Sequence, residues 1–119
     1  MRRFAAKVLL VLPFVVALAP KTVDSARTID VTVSRYAFSP ERIDLQLGER
    51  VWLNVRSVDG IHGFQVKELG LNVRIPARGK VVTVEVTPKE TGTFEVTCSE
   101  YCGSGHSRMK ASLIVTPGT

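Results

Sequence analysis

The chain has 119 residues, which favours a single domain, and it carries 16 Lys and Arg against 11 Asp and Glu, for a net charge of +5. It contains only two Cys, two His and two Met. These counts exclude a histidine-rich cluster like that of the multicopper oxidases, an all-cysteine iron–sulfur cluster and a disulfide-dense scaffold. An apolar fraction of 45% and a charged fraction of 23% are typical of a folded globular domain.

Residues 1–26 are predicted to be an apolar leader. A basic start at 1–7 precedes the apolar run Val8–Pro20, whereas a helix that spans a bilayer needs about 20 apolar residues. The run therefore fits the core of a secretory signal peptide, cleaved near 17–19 or 23–25, and a short membrane anchor is the alternative. Both predict that residues 27–119 form a domain on the exported side, in the periplasm or at the outer face of the cytoplasmic membrane.

The positive charge is concentrated in this leader. Residues 1–26 hold four Lys and Arg against one Asp, so most of the net charge lies outside the domain and only +2 remains in 27–119. The domain has no two adjacent basic residues. The sequence therefore does not predict nucleic acid as a partner, and membrane association would come through the leader or through a partner.

Residues 27–119 are predicted to be all-β, because short runs of β-branched residues alternate with polar ones between turn signals. In the second run, for example, Ile43, Leu45 and Leu47 alternate with polar neighbours. About eight strands at a spacing of about ten residues predict a β-sandwich or barrel. The predicted strands are 28–34, 42–47, 50–57, 64–66, 71–75, 80–87, 93–98 and 110–115.

Three aromatic residues receive structural interpretations. Tyr36 and Phe38 are interpreted as packing residues at a strand end. Trp52 alternates with Val51 and Leu53, so it is predicted to face away from the core, exposed or under a loop.

Two longer loops, 57–63 and 98–109, are predicted to contain every Cys and His of the chain. Thiolate, imidazole and thioether are soft to borderline donors that favour copper, whereas zinc gains little from a thioether. Four glycines in these loops allow the tight backbone path that a metal site needs. The candidate ligands are His62, Cys98, Cys102, His106 and Met109.

The donor set leaves alternatives open. A disulfide between Cys98 and Cys102 would explain neither the histidines nor Met109. A mononuclear blue-copper site needs two His, one Cys and an axial Met, and it would leave Cys98 as a spare thiol in an oxidising compartment. Alternatively, the two cysteines bridge two metal ions, each of which also receives one histidine.

The segment 98–109, CSEYCGSGHSRM, resembles the CuA loop C-x-E-x-C-x3-H-x2-M of cytochrome c oxidase subunit II and of nitrous oxide reductase. The segment 59–64, DGIHGF, is similar to the one that supplies the first histidine in both families. The resemblance covers about residues 35–116. It implies a cupredoxin-like Greek-key β-barrel with a binuclear, mixed-valence copper centre.

The resemblance also implies a role for each donor. Cys98 and Cys102 would bridge the two copper ions, and His62 and His106 would each bind one of them. Met109 would be axial to one copper and the carbonyl oxygen of Glu100 to the other; in oxidases the side chain of the matching Glu also contacts a magnesium ion. The sequence departs from the oxidase pattern in its short apolar leader and in lacking the aromatic-rich stretch that receives electrons. The catalytic propeller of nitrous oxide reductase is not recognisable either.

The function that follows is that of an electron carrier, not of an enzyme in isolation. All five side-chain donors would be used as ligands, which leaves no open position for substrate chemistry. The resemblance implies a cytochrome c-like donor and an acceptor similar to oxidase subunit I, with His106 near the loop surface where electrons pass. The alternatives are a mononuclear blue-copper carrier and a copper-binding or copper-delivery protein.

Overall fold

Nine β-strands are present in the residues that the computed structural model describes, 4–17 and 26–118. Runs of β-branched residues that alternate with polar ones form most of them, because such side chains fit a pleated surface buried on one face. Two 3-10 turns, Lys67–Leu69 and His106–Arg108, accompany them. The strands are β1 (Arg27–Ser34), β2 (Ala37–Ser39), β3 (Arg42–Gln46), β4 (Val51–Ser57), β5 (His62–Val66), β6 (Leu71–Ile75), β7 (Val82–Val86), β8 (Gly92–Thr97) and β9 (Lys110–Thr116).

The strands form two sheets that share one core, so the all-β prediction is confirmed. The first sheet has the order β2-β1-β4-β7 and the second the order β3-β9-β8-β5-β6. Most neighbours are antiparallel, but β1 pairs with β4 and β3 pairs with β9 in parallel. Because parallel neighbours cannot be joined by a tight hairpin, the chain crosses between the sheets, and this crossing locks the sandwich together.

Alternation along β4 shows how the core is built. Val51, Leu53 and Val55 are fully buried, and full burial of one such side chain is worth about 1.5–3 kcal/mol. Trp52 points to the other face, where it is half-buried and the Arg50 guanidinium lies 5.1 Å from its ring centroid. The predicted orientation of Trp52 is therefore confirmed.

The strand β2 was not predicted from the sequence and raises the count from about eight strands to nine. It is only three residues long, too short to display an alternating pattern. Its central residue Phe38 is fully buried, and its ring meets the ring of Phe64 edge to face at 5.9 Å. Because β2 and β5 belong to different sheets, this aromatic pair joins them, at a gain of about 0.5–1.5 kcal/mol beyond area burial.

Three predicted boundaries are wrong by a few residues. His62 does not lie in a loop but opens β5, where it pairs with Ile75. Leu47 follows the end of β3 and is 39% exposed, because the chain turns at Gly48 with a φ of +78°. β7 begins at Val82 rather than at residue 80.

One end of the sandwich collects the connections that matter for function. The connections after β1, β4, β6 and β8 all lie at this end, which we call the metal end. Backbone bonds tie two of them together: the N–H of Arg78 donates to the carbonyl of Asp59 at 3.2 Å, and that of Gly79 to Ser57 at 2.6 Å. The metal end is therefore a single surface of interlocked loops.

The leader is described only in part. Residues 4–17 form neither helix nor strand, and within 4–17 and 26–118 no helix is long and apolar enough to cross a membrane. Residues 1–3 and 18–25, which include the predicted cleavage positions, lie outside the described residues. The division into a leader at 1–26 and a domain at 27–119 stays a prediction.

Candidate metal centre

Four sulfur and nitrogen donors from the two predicted ligand segments meet at the metal end. The sulfur atoms of Cys98 and Cys102 lie 3.6 Å apart, and both cysteines are free and buried. The Nδ1 atom of His62 lies 3.9 Å from the sulfur of Cys98, and the Nδ1 atom of His106 lies 3.7 Å from the sulfur of Cys102. Each sulfur therefore has its own imidazole, and the two halves of the site have matching geometry.

The remaining two candidate ligands complete the cluster. The sulfur of Met109 lies 3.8 Å from the sulfur of Cys102, and the backbone carbonyl oxygen of Glu100 lies 3.0 Å from the sulfur of Cys98. The cluster thus has one weaker donor on each side, a thioether on one and a carbonyl on the other. All six residues singled out from the sequence are brought together, with the ligand role of each still a proposal.

These separations fit a shared metal. Metal–sulfur bonds of about 2.3 Å and metal–nitrogen bonds of about 2.0 Å place the donors of a tetrahedral site about 3.3–3.8 Å apart. The observed 3.6–3.9 Å between neighbouring donors matches this range without large movements. The donor atoms of His62, Cys98 and Cys102 also lie within 4.8 Å of one another. The arrangement fits copper through its donor types, since thiolate and thioether are soft ligands.

Burial distinguishes the two histidines. His62 is completely buried at the start of β5, whereas His106 is only half-buried in the 3-10 turn. The ring of Tyr101 lies 5.6 Å from the ring of His106 and is itself 79% exposed. His106 and Tyr101 therefore form the route from the cluster to solvent, as the sequence predicts for His106.

The thiols hold their protons tightly when no metal is present. Burial, reinforced by the neighbouring Cys98 thiol, raises the pKa of Cys102 to about 11. A metal ion that binds both sulfurs must therefore displace protons from them, so uptake would release protons to solvent. The N–H of Gly63, which donates to the sulfur of Cys98 at 3.4 Å, helps to stabilise the thiolate once it forms.

Local backbone geometry delivers the loop ligands. The 3-10 turn returns the chain toward the core, because the N–H of His106 donates to Gly103 and that of Met109 to His106. Gly103 has a φ of +135°, which side-chain-bearing residues rarely adopt. Met109 is thereby placed in the hydrophobic core, where its side chain is 1% exposed.

Asp59 is a site residue that the sequence reasoning missed. Its carboxylate accepts from the buried ring of His62, with 2.6 Å between Oδ1 and Nε2, and from the backbone N–H of Arg35 at 2.8 Å. Burial alone would raise the pKa of Asp59, but these hydrogen bonds outweigh it and lower the pKa below its usual value. The carboxylate fixes the imidazole so that Nδ1 faces the sulfurs. The spacing D-x-x-H was the available signal.

Arg35 is the second missed residue, and it connects the two ligand segments. Its Nε donates to the carbonyl of Cys102 at 3.0 Å, while its backbone N–H binds Asp59. The following residue, Tyr36, is in contact with the positions where Gly103 and Gly105 would carry a Cβ. The β1–β2 turn therefore holds the cysteine loop against the β4–β5 loop, a contact across 67 positions that no local pattern reveals.

Comparison with known proteins agrees with this geometry. A family model described as a cupredoxin-like domain matches residues 7–115. Cytochrome c oxidase subunit 2 of Thermus thermophilus is 33% identical over 88 residues, which cover 74% of this chain and 64% of that protein. A second cytochrome c oxidase subunit 2, from another strain of Thermus thermophilus, is also 33% identical over 88 residues, which cover 74% of this chain and 52% of its own length. The chain thus spans between half and two thirds of these relatives.

Among solved structures, the chain is similar to the periplasmic domain of subunit II of cytochrome oxidase from Bradyrhizobium japonicum. The TM-score is 0.69 at 18% identity, over 76% of this chain and 84% of that one. At this identity the similarity establishes the fold.

Proposed function

The chain belongs to the cupredoxin-like family, and we propose that it is a copper electron-transfer protein with a binuclear CuA centre. The resemblance of its sequence to the CuA domain of oxidase subunit II is confirmed by the family match and by the subunit 2 relatives. The binuclear state, the ligand roles and the redox partners are the content of the proposal.

The observation that carries the proposal is the pairing of donors. Two sulfurs lie 3.6 Å apart and each has a separate imidazole at its outer side. A mononuclear blue-copper site would need both histidines beside one cysteine. Here His62 lies beside Cys98 and His106 beside Cys102, which supports two copper ions bridged by both sulfurs.

The other two ligands follow from the same geometry. Met109 beside Cys102 would be axial to one copper, and the carbonyl of Glu100 beside Cys98 would be axial to the other. Bound copper supplies a one-electron redox change. The chain holds the ligands rigidly through the strands β5, β8 and β9 and excludes water, because Phe64, Phe94 and Leu113 fill the interior. Little rearrangement between redox states allows fast electron transfer.

The biological setting extends the proposal. The subunit 2 relatives suggest that the domain works on the exported side of a membrane, receiving electrons from a cytochrome c-like donor and passing them to a partner similar to oxidase subunit I. The chain would thus be the electron-receiving component of an oxidase complex rather than an enzyme by itself. The leader 1–26 would serve export or anchoring.

Metal analysis and spectroscopy test the proposal. Two copper ions per chain, a purple colour and electron paramagnetic resonance with hyperfine coupling to two equivalent copper nuclei are expected. One copper with an intense blue thiolate band would instead establish a mononuclear carrier. Tight Cu(I) binding without a reversible redox wave would establish a delivery protein.

Met109→Leu is expected to retain both copper ions and to raise the reduction potential. The thioether donates electron density that stabilises the oxidised state, and leucine fills the same buried space without a donor. Voltammetry together with copper analysis measures both properties. An unchanged potential would remove Met109 from the ligand set.

Asp59→Ala is expected to lower copper affinity by about tenfold to hundredfold, since the ring of His62 loses the carboxylate that orients it. Competition with a chromogenic Cu(I) chelator measures the affinity. Asp30→Ala, which removes an exposed carboxylate on β1, is the control and should leave the affinity unchanged. Equal affinities for the two variants would show that Asp59 does not support the ligand.

A further inference from the structure

The charges of the domain are segregated by the fold, although its net charge is small. Six cations lie at the metal end, on the connections or on strand residues adjoining them, against only Asp59 and Glu100 there. We call these six the basic rim. Its members are Arg35, Arg56, Arg74, Arg78, Lys80 and Arg108.

The rim cations carry no ion pair with a carboxylate among residues 4–17 and 26–118. At the opposite end the situation is reversed. Arg27 pairs with Glu49 at 2.7 Å, and Arg50 pairs with Glu85 at 2.8 Å. Asp59 offers little compensation to the rim, because its oxygens are occupied by the Arg35 N–H and by His62. The metal end therefore has a strong net positive field, while the far end is balanced.

Exposed apolar side chains lie on the same loops as the rim. Val58, Ile61, Val81 and Tyr101 are 57%, 38%, 49% and 79% exposed. Tyr101 contacts His106, the half-buried candidate ligand. An apolar centre with a polar rim is the composition of a protein docking site, and here it surrounds the point where the cluster comes closest to solvent.

We infer that the metal end is the docking surface for an acidic redox protein, whose redox group lies behind an apolar face surrounded by carboxylates. The inference rests on the proposed function, because only a redox partner needs to approach His106. Charge complementarity selects the partner, since the unpaired rim would attract carboxylates and repel a basic protein. The attraction would accelerate the encounter and weaken with salt, because the Debye length falls to about 8 Å at physiological ionic strength.

The test uses one cytochrome c in two charge forms. The probes are a basic cytochrome c and the same protein with its lysines succinylated, which makes it acidic without changing its haem. The copper-loaded full chain and each cytochrome are kept reduced, so that no electron moves, and binding is followed through the amide resonances of the chain. Tight binding of only the succinylated form is expected, with shifts centred on Ile61 and Tyr101, and about tenfold weaker binding at high salt.

Charge-reversal variants locate the contact. Lys80→Glu and Arg108→Glu are each expected to weaken binding of the succinylated cytochrome by about threefold to tenfold. Lys89→Glu makes the same charge change at the far end, on the turn between β7 and β8, and should have no effect. Two surface variants in separate loops guard against a folding defect in either one.

Several results would overturn the inference. These are equal binding of both cytochrome forms, preference for the basic form, equal effects of Lys80→Glu and Lys89→Glu, or binding of the metal end to phosphatidylglycerol vesicles without binding to either cytochrome. Copper content and spectra are recorded on the same samples. A failure of docking with an intact two-copper spectrum would refute only the inference, whereas one copper per chain would refute only the proposed binuclear centre.

Discussion

Replacement of Cys98 with serine is expected to reduce the protein from two bound copper ions to one or none. Cys98 lies 3.6 Å from Cys102 and has His62 at its other side, so it connects both halves of the site. A hydroxyl is a poor bridge between soft metal ions. Copper analysis and electron paramagnetic resonance of the variant would then show a single copper nucleus or no signal.

Ser104→Ala is the control for this variant. Ser104 lies in the same loop, and its hydroxyl has only a long 3.4 Å contact with Tyr36. This variant should retain the two-copper spectrum. A two-copper spectrum in Cys98→Ser itself would refute the bridging role, whereas loss of copper in both variants would indicate a general weakness of the loop.

The second large effect is expected at Gly63. A Cβ at this position would overlap the Ser99 hydroxyl and would lie 2.5 Å from the backbone nitrogen of Ser99 and 2.8 Å from that of Glu100. The hydroxyl can rotate away, but the backbone can only shift as a whole. Gly63→Ala is therefore expected to lower the free energy of unfolding by about 1–3 kcal/mol, as overpacking does, and to weaken copper binding by displacing Cys98. Urea denaturation measures the stability.

Gly60→Ala provides a matched comparison in the loop that leads into β5. The nearest atom to a Cβ at Gly60 is Nη2 of Arg35 at 2.8 Å, the far end of a flexible side chain. This variant should lose much less stability. Equal losses for the two variants would mean that the close approach of β5 to the cysteine loop does not constrain residue 63.

The candidate ligands could be found from the sequence because their spacing is local. Cys98, Cys102, His106 and Met109 occupy one loop whose length fixes how their side chains converge. His62 could be assigned only through its segment and the resemblance, and its place at the start of β5 rather than in a loop was not predicted. A strand boundary depends on pairing with Ile75 in a neighbouring strand, which the local pattern does not encode.

The residues that support the ligands could not be predicted. Asp59 is three residues from His62, yet its importance depends on the direction in which the imidazole ring points. Arg35 contacts the carbonyl of Cys102 from 67 positions away, and strand β2 carries Phe38 into the core from a segment without a periodic pattern. These contacts depend on how distant segments are brought together.

By itself, the sequence determined the class of fold, the donor set and the small net charge of the domain. Alternation with period two commits the strands to one buried face, and a run of closely spaced soft donors commits a loop to a metal. The tertiary structure alone decided which histidine accompanies which cysteine and how the charge is distributed. The metal end combines the ends of β1, β4, β6 and β8, so its six cations come from five separate segments. Their common field is a property of topology, because charges that are scattered along the chain act together only where the strands end side by side.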